Sequence, residues 1–137
     1  MFFKKNKNNN QNTDIIKIAA LLIHAARIDE NYSIEEEEII KETILILGAN
    51  KENIRDIIQK AKETEKNANQ ILEFTREVKS MSNENKKMII EALWKIIYSN
   101  KDADIYETSL MRKLAGLMYI DNKLMGDIKN KIKKENS

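Results

Sequence analysis

Arg27-Ile28-Asp29-Glu30-Asn31-Tyr32-Ser33-Ile34-Glu35-Glu36 and Tyr98-Ser99-Asn100-Lys101-Asp102-Ala103-Asp104-Ile105-Tyr106-Glu107 are two versions of one acidic elbow. In each, an apolar helical pattern stops, oxygen-bearing side chains crowd a short turn, and a new helix opens on a capping pair. The pair is Ser33 with Glu36 in the first copy and Asp104 with Glu107 in the second. From Ser33 to Asp104 is 71 residues. At that interval Ile18 falls on Ile89, Leu22 on Leu93, Ile39 on Leu110, Ile40 on Met111, Lys41 on Arg112, Leu47 on Met118 and Ile57 on Ile128. Helical periodicity alone does not bring caps, core positions and elbows into one register. The pattern predicts an all-α fold of about seven helices, in two pseudo-symmetric three-helix units joined by a linking helix and packed around an approximate two-fold axis.

Upstream of the first elbow, Ile15, Ile18, Leu22, Ala25 and Ala26 recur at helical spacing, which predicts helix one from Asp14 to about Ile28, capped by Thr13 or Asp14. Ile16, Leu21 and Ile23 make it apolar nearly all round, as a central buried helix is. His24 lies in that run and reads as a core or boundary residue with a single partner, since the chain has no other histidine and no cysteine to complete a site. Downstream, helix two runs from Ile34 to Leu47 and stops at Gly48. Glu35 to Glu38 crowd its first turn, where carboxylates favour the positive end of the helix.

Helix three is capped by Asn50, helix four spans roughly Asn67 to Lys79, and helix five begins after Ser82 or Asn83. Trp94 sits on the border of helix five's apolar stripe and reads as a packing residue. Helix six runs from Ile105 to about Met118, and helix seven follows a cap at Asp121. Residues 1–12, with Asn8-Asn9-Asn10-Gln11-Asn12, read as a disordered polar arm, 13–134 as a single helical domain, and 135–137 as a tail.

Composition narrows the function. The 137 residues are 42% hydrophobic and 34% charged, with no proline and three glycines, which argues for a helical globular protein rather than a sheet of many tight turns. The lack of cysteine removes disulfides, thiolate metal sites and cysteine nucleophiles, and fits a reducing compartment. Ile18 to Ala26 is too short to cross a bilayer, and Met1-Phe2-Phe3-Lys4-Lys5 lacks the apolar core of a secretory signal, so the expected location is cytoplasmic. The net charge of +2 is uneven: residues 1–13 carry +3, 14–48 carry −5 and 121–137 carry +2. Elsewhere the signs are mixed, without the basic stripe of a nucleic-acid binder. Phe2 and Phe3 beside three lysines could make only a weak peripheral contact with an anionic membrane.

Three readings of the elbows stay open. They can be capped turns, a docking surface for a basic partner, or sites for Ca2+ or Mg2+. The cation ligands would be Asp29, Asn31, Ser33 and Glu36, with a weaker set at Asn100, Asp102, Asp104 and Glu107. Neither copy is an EF-hand. Its sixth-position glycine is Ile34 or Ile105 here, and its twelfth-position glutamate is Ile40 or Met111. No glycine-rich phosphate loop, Ser/His/Asp spacing or histidine cluster is present, so no catalytic residues are expected and the chain does not read as an enzyme.

Ala25-Ala26-Arg27-Ile28-Asp29 through Glu36 resembles the helix–elbow–helix of the tellurite-resistance TerB family. Phe74-Thr75-Arg76, Leu93-Trp94-Lys95-Ile96-Ile97-Tyr98-Ser99, Tyr106-Glu107 and Arg112-Lys113-Leu114-Ala115-Gly116-Leu117 resemble its branch related to the N-terminal region of the DjlA co-chaperone. The likeness spans about residues 14 to 128. It implies an all-helical, pseudo-symmetric, non-catalytic protein of tellurite or envelope-stress resistance, with metal binding and membrane-associated protein partners. The motif's acidic positions fall on Asp29 and Glu36, then on Asn100 and Glu107. The family's turn glycine is Glu30 in one copy and Lys101 in the other, and Lys101 would repel a cation. The combined expectation is an interaction module at the inner face of the membrane, with a Ca2+ or Mg2+ sensor as the alternative.

Overall fold

The computed structural model describes residues 2–27, 32–68, 71–99 and 105–135, with side chains from Asp14 onward and, after the second elbow, from Ser109. The described residues form seven helices: α1 (Phe2–Arg27), α2 (Ile34–Ile46), α3 (Ile54–Asn67), α4 (Leu72–Lys79), α5 (Asn83–Ser99), α6 (Ile105–Leu117) and α7 (Asn122–Glu135). α1 is the hub, as its all-round apolar pattern predicts. Ile15, the run Ile18–Ile23, Ala25 and Ala26 are buried, and α2, α3, α4 and α5 all pack on it. α5 is the second axis, burying Ile89, Ile90, Leu93, Trp94, Ile96 and Ile97 against α1, α2, α4 and α7. No helix among the described residues is long and apolar enough to cross a membrane.

Local signals account for several helix ends. Ser33 caps α2 through a reciprocal box: its Oγ accepts from the Glu36 N–H at 3.1 Å, and its own N–H donates to Glu36 Oε1 at 2.9 Å. Ser82 Oγ accepts from the Asn85 N–H at the start of α5. Three boundaries differ from the sequence expectation. α1 begins at Phe2, ahead of Thr13 and Asp14, because residues 2–13 hold no proline or glycine and extending a formed helix is far easier than nucleating one. Asn50 does not cap α3. It opens a turn in which its N–H donates to Asn53 Oδ1 at 2.9 Å, and α3 starts after Asn53. Asn67 closes α3 instead of opening α4.

The 71-residue register recurs in backbone geometry. α2 ends at Gly48 with φ 120°, where Gly48 N–H donates to Leu45 O and Ala49 N–H to Ile44 O. α6 ends at Tyr119 with φ 55°, where Tyr119 N–H donates to Gly116 O and Ile120 N–H to Ala115 O. Both are Schellman closures, and every atom pair in the second lies 71 residues after its counterpart. Ile18 and Ile89, Leu22 and Leu93, Ile40 and Met111, and Ile57 and Ile128 are all buried. Helix neighbours differ between the halves: α2 lies against α5, whereas α6 lies against α4. The recurrence therefore covers helix ends and core positions, and a two-fold packing of whole units does not follow from it.

The two closures should respond unequally to substitution. At φ 120° an L-residue is strained, so Gly48→Ala is expected to cost about 1–2 kcal/mol. At Tyr119, Gly relieves a left-handed residue but gives up the contact of Lys79 Nζ, 4.3 Å from the ring centroid, so Tyr119→Gly should shift stability by less than about 1 kcal/mol. Urea denaturation of the two variants compares them directly.

Candidate functional site at the first elbow

The first elbow links α1 to α2 in the sequence, and α3 contacts both of those helices. Glu65 of α3 takes Arg27 Nη1 at 2.6 Å and lies 3.4 Å from His24 Nδ1. Lys62, one turn earlier, reaches Glu37 Oε1 of α2 at 2.9 Å. Tyr32 fills the space between these pairs. Its hydroxyl donates to Glu37 Oε1 at 3.2 Å, while Lys62 and Arg27 stand 5.2 and 5.8 Å from its ring centroid. Two cations on one aromatic ring, each also held by a carboxylate, tie α1, α2 and α3 together at the bend.

The same contacts set the protonation states. Burial, followed by the charge of Glu37, pushes the Tyr32 phenol far above its usual range, so it stays neutral. The hydrogen bond from Lys62 holds Glu37 below the ordinary glutamate value of 4.5. A depressed folded pKa stabilises the fold above 4.5, and the gain disappears as pH falls from 4.5 through the lower folded value. Glu37→Gln should therefore lower the melting temperature at neutral pH. It should also remove part of the loss that wild type shows on going to pH 3, as paired thermal melts would reveal.

Of the proposed cation ligands, the structure describes Ser33 and Glu36. Both belong to the cap of α2, and Glu36 is 3% exposed. A cation using them would draw on oxygens already engaged with the helix end, so these two residues do not by themselves make a site. Among the described residues there is no group of three or more His, Cys, Asp or Glu side chains fit for a metal. Asp29, Asn31, Asn100, Asp102 and Asp104, and the side chain of Glu107, lie outside the described residues.

The flanks of both elbows meet. Ile34, Glu38 and Ile39 at the start of α2 and Lys95 and Tyr98 at the end of α5 line an open groove of about 520 Å3, with Glu135 of α7 at its edge. Ile34 is 81% exposed there, an apolar side chain standing in water beside carboxylates. The ion-pair network and the groove were not legible in the sequence. Lys62 and Glu65 of α3 lie 25 to 41 residues from their partners in α1 and α2, and no local pattern marks them.

Among curated proteins and among solved structures none matches the chain. A family model described as "Tellurite resistance protein TerB" matches residues 15–130. That span runs from the buried part of α1 almost to the end of α7 and takes in both elbows. With most of its length covered and its fold entirely helical among the described residues, the chain belongs to the TerB family.

Proposed function

We propose that the chain is a non-catalytic interaction module of the tellurite and metal-stress response, working in the cytoplasm near the inner face of the membrane. A basic protein partner would dock across the groove between the start of α2 and the end of α5. The observation that carries this reading is the meeting of both elbow flanks in one groove, with exposed Ile34 set among Glu35, Glu38 and Glu135. Family membership supports the link to tellurite. An apolar anchor beside three carboxylates, with Lys95 the one basic lining residue, is a net acidic surface that a basic, amphipathic segment would fit.

The test is complementation of a deletion strain of the native host under tellurite challenge. Glu38→Lys with Glu135→Lys reverses the groove's charge, and Ile34→Ala removes the anchor. All three side chains are exposed, so melting should hardly change. Loss of survival with an intact melt is the expected result, and full rescue by both variants would sink the docking reading. Saturable binding of Ca2+ or Mg2+ by calorimetry, lost in Asp29→Ala, would favour a cation sensor instead.

A further inference from the structure

Phe2-Phe3-Lys4-Lys5-Asn6-Lys7 opens α1, and no acidic residue precedes Asp14 in the sequence. Three lysines therefore share the positive end of a helix, where carboxylates are favoured and cations are not. Among the described side chains, Asp14 is exposed and burial on α1 begins at Ile15. The opening of α1 thus combines aromatic residues with positive charge, and its own stretch of sequence holds no acid to answer it. The groove between α2 and α5 presents the complement: exposed Ile34 with Ile39 and Tyr98, three carboxylates and one lysine.

This arm cannot fill the groove of its own chain while α1 is continuous. At about 1.5 Å per residue, the 26 residues of α1 span about 39 Å. The start of α2 lies at the far end of that rod, since the Arg27 guanidinium stands 5.8 Å from the Tyr32 ring centroid and α2 opens at Ile34. We infer that the groove receives residues 2–7 of a second copy of this chain. Phe2 and Phe3 would cover Ile34 and Ile39, and Lys4, Lys5 and Lys7 would meet Glu35, Glu38 and Glu135. Two copies related by a two-fold axis would each give an arm and receive one, which fills both grooves and closes the assembly as a dimer. This inference rests on the docking reading of the groove and names its occupant.

Sedimentation equilibrium of the full chain from about 10 µM to about 1 mM, at low and at high salt, tests it. The mass should rise with concentration from 16.0 kDa toward twice that value. High salt should push the rise to concentrations about tenfold higher or more. Lys4→Glu with Lys5→Glu reverses the arm, and Glu38→Lys with Glu135→Lys reverses the groove. Each reversed chain alone should stay monomeric. Mixed in equal amounts they should associate again, because the acidic arm of one suits the basic groove of the other, and the remaining arm and groove are unaltered. Phe2→Ser with Phe3→Ser should weaken association by about tenfold or more.

The inference is overturned by a wild-type chain that stays monomeric at about 1 mM. Association that survives in either reversed chain would overturn it too, as would a mixture that stays monomeric although both variants melt like the wild type. Arm-dependent pelleting of a monomeric chain with phosphatidylserine vesicles would give residues 2–7 to a membrane surface, with the same consequence. Tellurite survival separates this failure from that of the docking reading. If the wild type is monomeric and the groove-reversed chain still loses survival, the groove docks another protein, and only the occupant named here is wrong.

Discussion

Leu22→Ala should destabilise the chain by about 2.5–5 kcal/mol, the upper range for a buried aliphatic truncation. Leu22 is fully buried on α1, the helix on which four others pack. Truncation removes the transfer energy of the lost carbons, and close packing around the hub limits how far neighbours can relax into the void. A domain of this size is held by about 5–15 kcal/mol, so this one change consumes a large share. Urea midpoints should fall with little change in slope, and the melting temperature should drop by roughly 10 °C or more. Leu93→Ala, at the equivalent position of α5, is equally buried and should cost a similar amount. A loss below about 1 kcal/mol at Leu22 would mean that α1 is not the hub.

Phe74→Ala is expected to cost about 3–5 kcal/mol, with a more local signature. α4 has eight residues, too few to hold a helix in water unaided. It persists because Phe74 and Val78 bury against the core, aided by the 3.3 Å pair between Lys17 of α1 and Glu77. α4 in turn is the helix on which α6 packs. Removing the ring should therefore raise amide exchange throughout 72–79 and along α6, while α3 stays protected. Exchange that rises evenly across all helices would show that α4 unfolds only with the whole domain.

What was legible in the sequence follows from the range over which each signal acts. Ser33 and Glu36 declare the start of α2 within four residues, and Gly48 declares its end, so both could be placed directly. The apolar circumference of α1 pointed to its central place, because few helices can be greasy on every side unless others enclose them. The register of 71 placed core positions in the second half that periodicity alone would have left loose. Asn50 misled because asparagine serves turns as readily as caps, and here Asn53 turns its amide oxygen back to the Asn50 N–H. The Tyr32 cluster needs three helices, and no single stretch contains its partners. The cation sets fall mostly on residues outside those described, so the elbows enter the structure through their flanks.

Gly48 and Tyr119 occupy the same corner of the main chain, one with no side chain and the other with a large ring. The shape of that corner is thus dictated by amide-to-carbonyl pairing, and the residue written there is secondary. Loops 47–53 and 118–121 should then be open to exchange as short cassettes with their own closing bonds. In the second, Tyr119 in the place that Gly48 takes in the first leaves an aromatic ring projecting into water beside Lys79. A side chain at that corner changes the outer surface and spares the route of the chain.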